Sequence, residues 1–97
     1  MTTLRLATRF NEMVQWDILF HRKSMISSLV DEATRWSVAA VIENKEAITI
    51  ITSVTLNWIR PHSPMRLLIA DRESGLVGEE AAQWLDRWQI QIKTKEP

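Results

Sequence analysis

The stretch MRLLIAD, residues 65–71, decides the fold class. It is a short, almost wholly apolar run that ends in an aspartate, which is the pattern of a strand buried on both faces of a sheet. Charged residues and a glycine follow Asp71 in RESG, residues 72–75. A charged residue directly after an apolar strand is a candidate functional residue, and its role has to be inferred from the other segments of the sequence.

Three strands are predicted before this stretch. MVQWDILFH, residues 13–21, is rich in β-branched and aromatic residues, and alternate apolar side chains predict a strand face. MISSLVD, residues 25–31, and RWSVAAVI, residues 35–42, continue as two further strands. The links between them are short, so the three strands are predicted to form an antiparallel meander.

A helix is predicted between the meander and residue 65. Apolar residues recur there at steps of three and four, and Asn44 is the expected N-cap. Pro61 is expected to end the helix. Its many β-branched residues leave a strand as a competing interpretation. The recurring apolar residues are Ala47, Ile51, Val54 and Trp58.

Two more elements follow. GEEAAQWLDRW, residues 78–88, predicts an amphipathic helix, and IQIKTKEP, residues 90–97, predicts an edge or parallel strand. The order β-β-β-α-β-α-β predicts an α/β fold with a mixed five-stranded sheet and flanking helices. In such sheets the functional crevice lies at the carboxyl ends of the strands, where Asp71 falls.

Composition limits the function further. The 97 residues suffice for one small domain, and 12 basic side chains balance 12 acidic ones. Whole-molecule charge therefore gives no attraction to nucleic acid or to an anionic membrane. The chain has no cysteine, which excludes disulfides, thiolate metal sites and a cysteine nucleophile. Without a membrane-length apolar run or a secretory signal, the protein is expected to be intracellular.

Asp17 is the second unusual aspartate, because it interrupts the apolar strand between Trp16 and Ile18. Two carboxylates on adjacent strands would repel by about 4 kcal/mol at about 4 Å with an effective dielectric near 20. A divalent cation with oxygen ligands, Mg²⁺ or Mn²⁺, would remove that repulsion. The alternatives are a turn or helix-cap role for Asp71 and a pairing of Asp17 with an arginine such as Arg35.

Four blocks of the sequence resemble a known family. In order they are VQWDILF (14–20), LVDEATRWSVAAVI (29–42), WIRPHSPMRLLIAD (58–71) and EEAAQWLDRWQIQI (79–92). Together they resemble the catalytic core of retroviral-type integrases, especially those of long-terminal-repeat retrotransposons. The resemblance runs from about residue 11 to the C-terminus, so residues 1–10 are interpreted as an N-terminal extension and 11–97 as a partial core.

The resemblance implies a ribonuclease-H-like fold and Mg²⁺-dependent (or Mn²⁺-dependent) cleavage and strand transfer at DNA phosphodiesters. It implies that Asp17 and Asp71, 54 residues apart, are catalytic residues and metal ligands. The family's third carboxylate, a glutamate on a later helix, would lie beyond Pro97. Glu79, Glu80 and Glu96 do not match it, so the chain is expected to be C-terminally truncated and inactive by itself.

The resemblance also implies partners. DNA is expected to contact basic residues at the first turn and near the C-terminus, and the protein would act in the nucleus if it integrates DNA. Integrase-like cores commonly self-associate, so a homodimer is expected, and no membrane association is expected. The alternative function is a non-catalytic remnant that acts as a protein-interaction or dimerisation module. The candidate DNA-binding residues are Arg22, Lys23, Lys93 and Lys95.

Two further groups have ordinary interpretations. Asp31, in VDEATRW, is expected to cap a turn or to pair with Arg35, not to act in catalysis. His21 and His62 stand alone, beside a strand end and a proline turn, and are interpreted as surface or loop histidines.

Overall fold

The computed structural model describes residues 9–71, 76 and 78–95, with the side chains of Asp71 and Lys95 outside that description. Within this part of the chain, five strands form one mixed sheet in the order β3-β2-β1-β4-β5. The first three pair antiparallel, and β4 pairs parallel to both β1 and β5. The strands are β1 (Met13–His21), β2 (Ser24–Asp31), β3 (Ser37–Ile42), β4 (Leu67–Asp71) and β5 (Gln91–Lys95). The predicted meander and mixed sheet are confirmed.

The helices lie where the apolar periodicity predicts them. Helix α1 (Ala47–Val54) continues through a π-helical turn (Thr55–Ile59) into a last turn, α2 (Arg60–His62), and α3 spans Glu79–Trp88. The competing strand interpretation of this segment is wrong. Burial of one helix face outweighs the weak helix propensity of β-branched residues. In the described part of the chain, no helix is long and apolar enough to cross a membrane.

Both predicted ends of the long helical segment need correction. The N-cap is Glu46, and the Asn44 side chain instead accepts the Glu46 N–H at 2.9 Å in the preceding turn. The helix also extends past Pro61. Ser63, with φ of 78°, donates its N–H to the Ile59 carbonyl at 2.7 Å, and this bond closes the last turn over the proline.

The two faces of the sheet differ in what covers them. On the face that we call the covered face, Val14, Trp16, Leu29 and Leu68 are buried together with the inner residues of α1 and α3. The opposite face, the open face, carries the alternate residues of the same strands. Its members include Gln15, Asp17, Leu19, Ile26, Ser28, Val30, Ala39, Val41, Leu67 and Ile69.

The prediction that strand β4 is buried on both faces is therefore wrong. Leu68 and Ala70 are buried on the covered face, whereas Leu67 and Ile69 on the open face keep partial exposure. A continuous run of apolar residues does not show whether one or both faces of a strand are buried. The second face can be apolar and still be exposed in the folded chain.

Candidate active site

Asp17 lies near the middle of β1, on the open face. Its carboxylate is exposed, and Oδ1 accepts the backbone N–H of Ile18 at 2.9 Å. The neighbours Trp16 and Ile18 turn towards the covered face, so the strand alternation presents the carboxylate to solvent. The cost of burying a charge inside a strand does not arise here.

The register of β1 and β4 brings the two unusual aspartates to neighbouring backbone positions. The parallel ladder runs from the Met13–Leu67 pair to the Trp16–Ala70 pair, and the next residue of each strand is Asp17 and Asp71. Adjacent strands lie about 4.8 Å apart. The register therefore assigns position 71 to the open face beside Asp17. The Asp71 side chain itself lies outside the described residues.

The row that contains these two positions continues across the sheet. Asp17 pairs with Ser28 of β2, and Asp71 pairs with Lys95 of β5. Lys93 pairs with Ile69, one row earlier on the same face, and is exposed. The fold thus brings two predicted basic positions to the same face as the two aspartates, although the Lys95 side chain lies outside the described residues.

The other two predicted DNA-binding residues are further from the aspartates. Arg22 and Lys23 form the exposed tip of the β1–β2 hairpin, where Arg22 has φ of 57°. The tip begins five residues beyond Asp17, or about 17 Å at about 3.3 Å per residue. These two cations therefore belong to the end of the hairpin and not to the row of aspartates.

Oxygen chemistry at Asp17 fits a hard divalent cation, since Mg²⁺ and Mn²⁺ prefer carboxylate ligands and retain water. Among the residues that the structure describes, no group of three His, Cys, Asp or Glu side chains could hold a metal ion. Glu79 and Glu80 begin α3, whose buried residues Ala81 and Trp84 pack into the covered-face core. These two glutamates therefore lie on the other side of the sheet from Asp17.

Asp31 caps a turn, which was one of the two roles predicted for it. The side chain is fully buried, and Oδ2 accepts both the N–H and the hydroxyl of Thr34 at 2.8 Å. Oδ1 accepts the N–H of Asn11 at 2.7 Å. Sequence analysis missed Asn11, because an isolated asparagine before a strand carries no periodic signal.

The two histidines lie in different surroundings. His21 is exposed at the end of β1, as predicted. His62 is half-buried in an aromatic cluster, with ring centroids 5.0 Å from Trp58, 5.3 Å from Phe10 and 6.4 Å from Trp36. The surface interpretation of His62 is therefore incomplete, since its ring takes part in packing.

Comparison with known proteins gives matches in structure but not in sequence. The catalytic core domain of BIV integrase matches with a TM-score of 0.80 at 17% identity, over 90% of this chain and 56% of that chain. A chain of the simian T-cell lymphotropic virus intasome, solved in complex with PP2A regulatory subunit B56 gamma, matches with a TM-score of 0.88 at 16% identity. That match covers 98% of this chain and 35% of the other. Neither a protein-family model nor a curated protein matches the sequence.

The chain therefore has the ribonuclease-H-like fold of retroviral integrase catalytic cores, and the predicted fold class is confirmed. It spans about half the length of the BIV integrase core and about a third of the intasome chain. At identities of 16–17%, the likeness establishes the fold.

Proposed function

We propose that this chain carries part of the active site of a DNA integrase of the long-terminal-repeat retrotransposon type. Asp17 and Asp71 are its catalytic carboxylates and hold Mg²⁺ or Mn²⁺. The observation that carries the proposal is the β1–β4 register, in which an aspartate follows the last paired residue of each strand. The integrase-like fold supports it.

The chemistry follows from the two carboxylates. A divalent cation held by carboxylates can activate an attacking oxygen and stabilise a leaving oxygen when a phosphodiester is cleaved or joined. In this proposal Asp17 and Asp71 bind the cation, while Lys93 and Lys95 on the same face contact DNA phosphates. Arg22 and Lys23 extend the contact to a more distant phosphate. Such a protein would act on chromosomal DNA in the nucleus.

We also infer that these 97 residues do not cleave DNA by themselves. The resemblance to integrase cores implies a third carboxylate ligand, and Glu79 and Glu80 lie on the side of the sheet opposite to Asp17. Cleavage and strand transfer therefore require a further carboxylate ligand besides Asp17, Asp71 and the two glutamates that begin α3.

Metal binding by the chain tests the proposal directly. Titration with Mn²⁺, followed by the electron paramagnetic resonance signal of the free ion, should show binding that Asp17→Asn and Asp71→Asn each abolish. Asp86→Asn is the matched control, because it removes an exposed carboxylate from α3 on the other side of the sheet. Unchanged Mn²⁺ binding in either of the first two variants would contradict the assignment.

An interaction module is the second candidate, and the apolar content of the open face favours it. Leu19, Ile26 and Val41 occupy one row across β1, β2 and β3, with Leu19 48% and Val41 71% exposed. Contiguous exposed apolar surface of this kind marks contact sites. On this hypothesis the protein dimerises, and Val41→Lys shifts the sedimentation coefficient to that of a monomer. A folded wild-type protein that sediments only as a monomer would count against it.

A further inference from the structure

Asn11, two residues before β1, bonds to several separate parts of the chain. Its Oδ1 accepts the Trp58 indole N–H at 2.6 Å, which ties it to the helix. Its Nδ2 donates to the carbonyls of Ser63 at 2.9 Å and Pro64 at 3.1 Å, on the connection to β4. Its own N–H is held by the buried carboxylate of Asp31. One amide side chain therefore joins the helix end and the start of β4 to the start of β1.

These bonds stand directly before the β1–β4 ladder. The Asn11 carbonyl accepts the Arg66 N–H at 3.0 Å, and the Glu12 carbonyl accepts the Leu67 N–H at 3.1 Å. The next pair is Met13–Leu67, the first of the parallel ladder. The residues that lead into β4 thus meet the residues that lead into β1 in a fixed alignment.

A fixed alignment matters because a slip of one residue turns every side chain of a strand to the opposite face. If β4 slipped by one residue against β1, position 71 would leave the open face. Residues 63–65 have no helix or strand assignment, and the bonds from Asn11 hold this connection together with the Ser63–Ile59 bond and the buried Met65 side chain. Asn11 itself has φ of 72°, a conformation that asparagine adopts more readily than most residues.

We propose that Asn11 is a positioning residue, whose side chain sets the register of β4 on β1 and so places position 71 beside Asp17. Its importance for catalysis rests on the proposed function, but the register itself does not. In this proposal Asn11 acts only through the alignment of the two strands.

The cysteine-free chain allows the register to be measured without metal or DNA. Asp17→Cys combined with Asp71→Cys reports β1–β4 alignment, and Asp17→Cys combined with Ser28→Cys reports the β1–β2 pair as a control. Dibromobimane, which fluoresces strongly once both of its arms have reacted, gives the cross-linking rate. Asn11→Gly removes the side-chain bonds while permitting the positive φ.

The expected result is that Asn11→Gly slows cross-linking between positions 17 and 71 several-fold and leaves the 17–28 rate unchanged. Asn57→Ala is the matched variant, because the Asn57 amide donates within its own helix to Ser53 at 2.8 Å, and it should alter neither rate. Asn11→Asp keeps the acceptor for Trp58 but loses the Nδ2 donor, and should repeat the effect of Asn11→Gly. Circular dichroism verifies that each variant is folded.

Equal slowing of both pairs, or no slowing of either, would overturn the role of Asn11. Failure of the parent pair to cross-link would overturn it as well, because the alignment would then be absent. A chain that cross-links as expected but does not bind Mn²⁺ would refute the proposed function and leave the role of Asn11 intact.

Discussion

The covered and open faces of the sheet are built from alternate residues of the same strands, yet they serve different ends. Trp16 is buried against the helices, whereas Asp17, the next residue, presents a carboxylate to solvent. Leu68 and Leu67 show the same contrast on β4. Apolar burial on one face supplies the stability of the domain, and this leaves the other face free to carry charges that would be costly in a core.

The largest loss of stability is expected from truncating a residue of the core on the covered face. Trp58 is fully buried and hydrogen-bonded to Asn11, so Trp58→Ala should lower the free energy of unfolding by about 4 kcal/mol. That is a large part of the roughly 5–15 kcal/mol typical of a domain. Urea denaturation measures the loss. Trp88→Ala, at a partly exposed position of α3, should cost much less, and equal losses would contradict this view of the core.

Neighbouring leucines of β4 test the two faces directly. Leu68→Ala should destabilise the protein by about 3 kcal/mol, because it leaves a cavity among buried residues. Leu67→Ala should cost about 1 kcal/mol or less, since Leu67 is already partly in water. Thermal and urea unfolding of both variants give the comparison. A cost for Leu67→Ala as large as that for Leu68→Ala would show that the open face is covered in solution.

Asp31 tests what a buried carboxylate contributes to stability, for comparison with the exposed Asp17. Asp31 is buried and accepts hydrogen bonds from Asn11 and Thr34. Asp31→Asn should lower the free energy of unfolding by about 2 kcal/mol, because the new amide NH₂ group would face N–H and O–H donors and lose an acceptor. Urea unfolding at neutral pH measures this loss. A wild-type midpoint in Asp31→Asn would contradict the role of this carboxylate in holding the turn to the start of β1.

The smallest effect on stability is expected at Asp17. In metal-free buffer Asp17→Asn should change the free energy of unfolding by less than about 0.5 kcal/mol, as exposed substitutions usually do. Mg²⁺ at about ten times its dissociation constant should stabilise the wild type by about 1.4 kcal/mol and leave Asp17→Asn unaffected. Thermal unfolding with and without Mg²⁺ measures both. Equal stabilisation of the two proteins would place the ion elsewhere.

Much of the fold could be predicted from local patterns. The period-two alternation of MVQWDILFH gave the bounds of β1 as the structure has them, Met13–His21. The three- and four-residue spacing of apolar residues gave the long helix despite its β-branched content. Its ends were predicted wrongly, because caps depend on the backbone conformation of single residues such as Glu46 and Ser63.

The candidate site was predictable only in part. Sequence order suggested Asp17 and Asp71 because each interrupts or ends an apolar strand, and the resemblance to integrases added a chemical role. Asn11 could not be found in this way. Its partners lie 20 to 53 residues away along the chain, and a contact over such separations leaves no periodic trace.

The sequence by itself determined which segments become strands and helices, since these depend on the periodicity of apolar residues over short windows. It also excluded thiol chemistry, because the chain has no cysteine. Only the tertiary structure decided that β1 and β4 are parallel neighbours in a register that brings position 71 beside Asp17. The physical reason is that register arises from packing and hydrogen bonds between distant segments, here the covered-face core and the bonds of Asn11.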